Sequence, residues 1–154
     1  MKKIYDAVLC ALNEMDMKFH YNEEKEVFDY QISTEYTTYS QRLVPLEDEE
    51  LLVAITTFPI TVPEEKRFMF CSLLNKINHS LLLGFFTMDA EDGEISFRVS
   101  CPVDDGAINK TIVFVAISNS IRTIEKHLPD IFGALSTLPT PHYGDEIANS
   151  VAYA

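Results

Sequence analysis

The apolar positions change period along the chain. Ile4, Val8, Leu12 and Met15 recur at helical spacing with Tyr5 and Leu9 on the flank, while Asp6, Asn13, Glu14 and Asp16 fall opposite. This predicts an amphipathic helix from about Lys2 to Asp16. Lys18 to Tyr21 is extended in character, and Asn22 to Glu26 is a polar turn. The period then drops to two. Phe28, Tyr30 and Ile32 share one face of a strand from Val27 to Ser33, and Tyr39 to Leu46 and Leu51 to Phe58 read as two more, separated by the acidic turn Glu47-Asp48-Glu49-Glu50. Three strands joined by short polar turns make an antiparallel meander.

The stretch from Val62 to Val103 is the best signposted. Pro63 suits the first position of a helix, where its missing N–H has no partner to lose, and Thr61 with Glu64 has capping-box spacing. Phe70, Leu74, Ile77 and Leu81 line one face of that helix. Asn75 and Asn78 are polar amides in its interior. Asn78, beside Ile77, is expected to bond a strand or turn backbone and fasten helix to sheet. Gly84 is placed in the next strand, where the missing side chain allows close packing. Asp92-Gly93 supplies the positive φ of a tight hairpin. Ile95, Phe97, Val99 and Cys101 then point inward and Glu94, Ser96, Arg98 and Ser100 outward, a sheet with one wet face. A last helix runs from about Ile108 to Leu135, with Ile117, Ile121, Ile124, Leu128, Ile131 and Leu135 as its stripe. Pro129 is expected to kink or split it near His127, with His127 capping the freed carbonyls. Residues 136–154, broken by Pro139, Pro141 and Gly144, form a tail that is either flexible or docked. The order α-β-β-β-α-β-β-α clusters its strands. It predicts one α+β domain over residues 1–135, with helices laid against an antiparallel sheet of about five strands.

Composition adds constraints. The 154 residues carry 24 acidic and 12 basic side chains, a formal net charge of −12. That charge repels phosphate backbones, and Lys2–Lys3 and Lys66–Arg67 are isolated pairs, so nucleic acid is not an expected partner. Cys10, Cys71 and Cys101 are widely spaced and read as small buried hydrophobes. Met1-Lys2-Lys3 leads into no uninterrupted apolar run, and no stretch of about 18 apolar residues exists, so neither a signal peptide nor a membrane helix is expected. A cytoplasmic protein with reduced thiols follows.

Candidate chemistry is sparse. Asp89, Glu91, Asp92 and Glu94 crowd one turn, but Gly93 falls fifth rather than sixth and no late glutamate follows, so a solvated hairpin tip fits better than a calcium loop. His20, His79, His127 and His142 lack metal-ligand spacing to one another or to a cysteine. Neither a G-x-S-x-G elbow nor a glycine-rich phosphate loop occurs. No catalytic residue, metal or cofactor is expected.

Taken in order and spacing, Val62-Pro63-Glu64-Glu65-Lys66-Arg67, Leu73-Leu74-Asn75-Lys76-Ile77-Asn78, Leu83-Gly84-Phe85-Phe86, Asp92-Gly93-Glu94-Ile95 and Phe97-Arg98 resemble the YbjN-domain family, whose fold is like that of type III secretion chaperones. The resemblance covers about Lys2 to Leu135. It implies a non-enzymatic, chaperone-like or regulatory protein, dimeric, in a family loosely described as sensory-transduction regulators. The residues themselves suggest a protein-binding surface of aromatics at an uncovered sheet face or edge: Tyr30, Tyr36, Tyr39 and Phe86, with Arg98 on the outward face. Arg98 either pairs with an acidic neighbour or marks that surface. The alternative is a small-ligand module with a pocket between the sheet and the last helix.

Overall fold

Alternation of apolar and polar residues along most of the strands leaves one sheet face greasy and one wet, and three helices cover the greasy one. The computed structural model describes residues 2–103 and 108–137. Helix α1 (Lys3–Glu14) leads into strands β1 (Phe19–Asn22), β2 (Val27–Ser33), β3 (Thr38–Leu46) and β4 (Leu51–Thr61); α2 (Arg67–His79) follows, then β5 (Phe85–Met88), β6 (Glu94–Pro102) and α3 (Lys110–Thr137). The strands form one sheet in the order β1-β2-β3-β4-β6-β5, every neighbouring pair antiparallel. The sheet therefore has six strands where the pattern predicts about five. The extra one is the extended segment after α1, too short for its periodicity to declare it.

The covered face is continuous. Phe28 on β2, Tyr39 and Leu43 on β3, Ala54 and Phe58 on β4, Phe86 on β5 and Phe97 on β6 are buried against Ile4, Val8 and Leu12 of α1, Phe70 and Leu74 of α2, and Val113, Ile124 and Ile131 of α3. Each large apolar side chain sunk this way contributes about 1.5–3 kcal/mol.

Three polar residues sit on that same face. Tyr30, Gln41 and Thr56 are cross-strand neighbours on β2, β3 and β4, and all are buried. The Tyr30 hydroxyl donates to Gln41 Oε1 at 2.5 Å, and Gln41 Nε2 donates to Thr56 Oγ1 at 2.7 Å. Burial pushes the Tyr30 phenol pKa far up, so it stays a donor. A slip of one residue would turn all three to the wet face, so the row works as a register pin.

Chain ends and turns are fastened by charged and amide side chains. The Glu47 carboxylate, from the β3–β4 turn, accepts the backbone N–H groups of Ile4 and Tyr5 at 3.2 and 2.8 Å, at the positive end of α1. Asn109 Oδ1 accepts the N–H groups of Thr111 and Ile112 at the start of α3. Near the other end of α3, Lys66 Nζ donates to the Leu135 carbonyl at 2.6 Å. The Asp89–Gly93 tip is a tight turn, with Asp92 Oδ1 accepting the Glu94 N–H at 2.8 Å. Arg67 clasps it, donating to the carbonyls of Val62 at 3.0 Å and Glu91 at 2.9 Å. Gly93 has φ +79, and a Cβ there would run into the Val62 carbonyl.

Several expectations are corrected. Pro63 precedes a 3₁₀ turn at Glu64–Lys66 rather than opening α2, and no side-chain cap forms there, so the Thr61–Glu64 capping box is not made. The tighter turn consumes the residues that the box would need. Helix α3 runs unbroken through Pro129. Pro129 is exposed, so water can take the carbonyl it leaves unpaired. His127 does not cap; its ring packs edge-on to Phe86 with centroids 6.0 Å apart. Cys10 and Cys71 are exposed and Cys101 is half-buried. Both exposed thiols sit on the flanks of their helices, off the apolar stripe. Of the segment expected as a tail, residues 136 and 137 belong to α3, and residues 138–154 lie outside the described residues.

The β5 edge is closed by one side chain. Asn78 Nδ2 donates to the Phe86 carbonyl at 2.9 Å, and Asn78 Oδ1 accepts the Phe86 N–H at 2.7 Å, so the amide pairs with β5 as a neighbouring strand would. Gly84, expected within the strand, instead precedes β5: at φ +78 it lets the chain turn into the strand against the Phe97 ring, which a Cβ would meet at 2.6 Å.

Two predictions follow from this packing. Gln41→Leu strands the Tyr30 and Thr56 hydroxyls without a partner, and chemical denaturation should show a loss of about 2–4 kcal/mol. The triple variant Tyr30→Phe/Gln41→Leu/Thr56→Val should recover most of it; a Gln41→Leu protein of unchanged stability would show that the row is not a pin. Asn78→Ala should cost about 2 kcal/mol and speed hydrogen exchange at the Phe86 amide. Unaltered exchange at Phe86 would mean that the edge is protected by something else.

Candidate functional site

The structure separates the five residues expected to form a partner surface. Tyr30 is 6% exposed, Tyr39 0% and Phe86 3%, so these belong to the core. All three share strand phase with the buried side chains of their strands, on the face that the helices cover. Tyr39 packs edge-on to Phe58 at 5.8 Å. Burial, with the Glu125 carboxylate nearby, pushes its phenol up to about 12. Phe86 sits between Phe58 and Phe97, with ring centroids at 6.3 and 4.8 Å. Tyr36 and Arg98 do reach solvent. Tyr36, 61% exposed, is in the β2–β3 turn, whereas Arg98 is on the uncovered sheet face of β6. They lie on different elements and do not form one site.

The middle of the layer between the sheet and α3 is filled: Tyr39, Phe97, Ile124 and Ile131 are fully buried. A depression remains only at the edge of that layer among the described residues, between β2 and the first turns of α3.

An apolar surface lies at that edge, formed by residues that the strand-based reading passed over. Phe114 is 50% exposed and Val115 48% exposed on the first turns of α3. Phe114 borders two depressions. One, of about 510 Å³, is lined chiefly by Met15, Met17, Ile32, Phe114, Ile117 and Ile121. The other, of about 280 Å³, lies between Ala11 of α1 and Met15 just past its end on one side and Thr111 and Phe114 of α3 on the other. Met15 and Phe114 line both, so the two read as one groove running along the α1–α3 seam to β2. Methionines give such a lining adaptable shape. The rim is charged: Lys110 pairs with Glu14 at 2.7 Å, and Lys18 and Asp16 stand beside the wider depression. Phe114 continues the alternating three- and four-residue spacing of the α3 stripe, so spacing alone assigns it to the core and gives no signal of its half-exposure.

Among the described residues no group of three or more His, Cys, Asp or Glu side chains is placed to hold a metal ion. Asp89, Glu91, Asp92 and Glu94 spend two of their carboxylates on turn N–H groups. No helix among the described residues is long and apolar enough to cross a membrane.

Comparison with known proteins agrees with this architecture. Among curated protein sequences none matches the chain. Of solved structures, it is similar to YbjN from E. coli, described as "a putative transcription regulator", at 14% identity and a TM-score of 0.64 over 88% of this chain and 96% of that one. It is also similar to a chain of the HopA1–SchA chaperone–effector complex, at 11% identity and a TM-score of 0.52 over 80% of this chain and 91% of that one. A chain of the ExsC–ExsE complex matches at 10% identity and a TM-score of 0.53, over 81% and 90% of the two chains. At these identities the likeness is one of fold: an α+β chain of the kind seen in a chaperone–effector complex. The profile of the YbjN family, "Putative bacterial sensory transduction regulator", matches residues 5–132, from the first helix nearly to the end of the last, and the chain belongs to that family.

Proposed function

We propose that this chain is a cytoplasmic chaperone-like or regulatory protein that binds another polypeptide in the apolar groove of α1, α3 and β2, without chemistry of its own. The observation that carries the reading is Phe114, a large aromatic half-exposed between two apolar depressions. A groove lined by methionines, isoleucines and one phenylalanine suits the apolar face of a helix or an extended segment. The acidic remainder of the surface keeps such a complex soluble. Free thiols at Cys10, Cys71 and Cys101 are consistent with a reducing compartment. The fold shared with a chain of a chaperone–effector complex supports the same class of work.

Phe114→Glu tests this directly. In pull-downs from the native host read by mass spectrometry, the wild-type chain should retain a polypeptide that the variant loses by about tenfold or more, with denaturation profiles unchanged. Retention of a small molecule instead, or equal capture by both proteins, would remove the groove from the account. Self-association belongs to the same reading, and the α2–β5 loop leaves Leu82 and Leu83 in solvent, where a second copy can cover them. Light scattering at micromolar concentration should report a dimer, and Leu82→Lys/Leu83→Lys should shift it toward monomer; a wild-type monomer throughout would end that part of the proposal.

A further inference from the structure

A separate concavity, of about 420 Å³, lies between the start of α1, β1 and the β3–β4 turn. Tyr5 of α1 and Tyr21 of β1 form its aromatic wall, their rings edge-on with centroids 5.0 Å apart. That wall is fixed in place. The Tyr5 backbone N–H is held by Glu47, and the Tyr21 ring packs on buried Phe28 at 4.8 Å. Met15, which lines the Phe114 groove, stands just past the far end of α1. The length of a 12-residue helix, roughly 18 Å at 1.5 Å per residue, therefore separates the two surfaces.

The charge of this concavity is one-sided. Glu26, Glu47, Asp48 and Glu49 line it against a single cation, Lys2. Glu47 serves the start of α1, and Glu26 pairs with Lys2 at 2.5 Å. Asp48 and Glu49 are exposed and form no ion pair among the described residues. Among those residues, the carboxylates are not placed to hold a metal ion together. The site suits an organic cation, and the chain's own Lys2 shows the mode. Its ammonium lies 5.8 Å from the centroid of the Tyr5 ring while paired with Glu26. A side chain carried on a polypeptide backbone thus reaches ring and carboxylate at once. Lys2 and Glu26 are 57% and 60% exposed, so their pair is weak and open to exchange. A guanidinium fits this wall better than an ammonium. Its flat, weakly hydrated face stacks on tyrosine while its fork of N–H donors reaches carboxylates.

We propose that this concavity binds an arginine side chain from a basic segment of a partner polypeptide. The guanidinium sits on Tyr5 and Tyr21 and pairs with Asp48 and Glu49, and Lys2 is the internal cation that it displaces. Charge complementarity selects the occupant: four carboxylates stand against one ammonium at the site, in a chain of 24 acidic and 12 basic side chains. The tyrosine wall sets the site apart from a solvated acidic turn, which offers a cation no face to stack on.

The test is fluorescence anisotropy with a fluorescein-labelled eight-residue peptide of alternating glycine and arginine, against the same peptide with uncharged citrulline in place of arginine. The full-length wild-type chain should bind the arginine peptide about tenfold more tightly. An acidic chain attracts any cationic peptide, so two charge-matched comparisons isolate the site. Asp48→Asn/Glu49→Gln should lose most of the preference, while Glu64→Gln/Glu65→Gln, which removes the same charge from the turn before α2, should keep it. Lys2→Met should tighten binding by about threefold, while Lys3→Met, which removes the same charge one residue away, should not. Phe114→Glu should keep the preference, so a failure of the α1–α3 groove would leave this surface untouched. Equal affinity for the two peptides, no binding of either, equal losses in the two acid-to-amide pairs, or matching behaviour of the Lys2 and Lys3 variants would overturn the proposal. So would free arginine amide binding as tightly as the peptide, since the site would then take a small cation.

Discussion

A buried row of polar side chains crosses the three strands at the centre of the sheet, and the placement of nearly everything else depends on it. Tyr30, Gln41 and Thr56 could satisfy one another only in one register. In a low-dielectric interior, an unmatched hydroxyl or amide is costly enough to exclude the neighbouring registers. With that alignment set, Phe28, Leu43, Ala54 and Phe97 fall on the helix side, and Asp29, Arg42, Ile55 and Arg98 fall together on the other. The polar row is thus a structural device whose effect appears on the opposite face, where it aligns a pair of arginines about an isoleucine.

Much of this was legible in the chain itself. The alternation Ile95, Phe97, Val99 fixes the phase of β6, and the 4-3-4-3 spacing fixes the buried stripe of α3. Phase, however, says which residues share a side and not which side a helix will cover. Tyr30 and Tyr39 share phase with Phe28 and Leu43, so their burial could be deduced once the helices are placed, and not before. Arg98 is similar: its outward direction follows from alternation, but its lack of a partner is a fact of cross-strand neighbours on β4 and β5 that lie far off in sequence. The groove at Phe114 was not legible, since spacing puts Phe114 in line with the buried stripe of α3, and its other wall, Met17 and Ile32, comes from segments joined only by the fold. The capping role of Glu47 was hidden for the same reason, since it acts on a helix more than forty residues earlier.

Several charged residues fasten the fold. Arg67 holds a hairpin tip, Lys66 a helix end and Glu47 a helix start. These contacts join elements remote in sequence at points where backbone groups would otherwise face solvent unpaired. Within the acidic clusters at Glu47–Glu50 and Asp89–Glu94, the carboxylates of Glu47, Asp89 and Asp92 serve a helix start and two turn N–H groups.

The amide pairing between Asn78 and β5 gives α2 a second duty. While the helix is docked, the last strand of the sheet presents a side chain and not a backbone ladder. If α2 lifts away, as in a partial unfolding event, Phe86 regains an open N–H and C=O on a strand whose neighbours Leu83 and Phe85 are already apolar and exposed. Such an edge is a template for another chain. The seating of this single helix therefore separates a soluble protein from one that can recruit strands, and the exposed thiol of Cys71 on the outer side of the helix puts a chemically addressable handle on that seat.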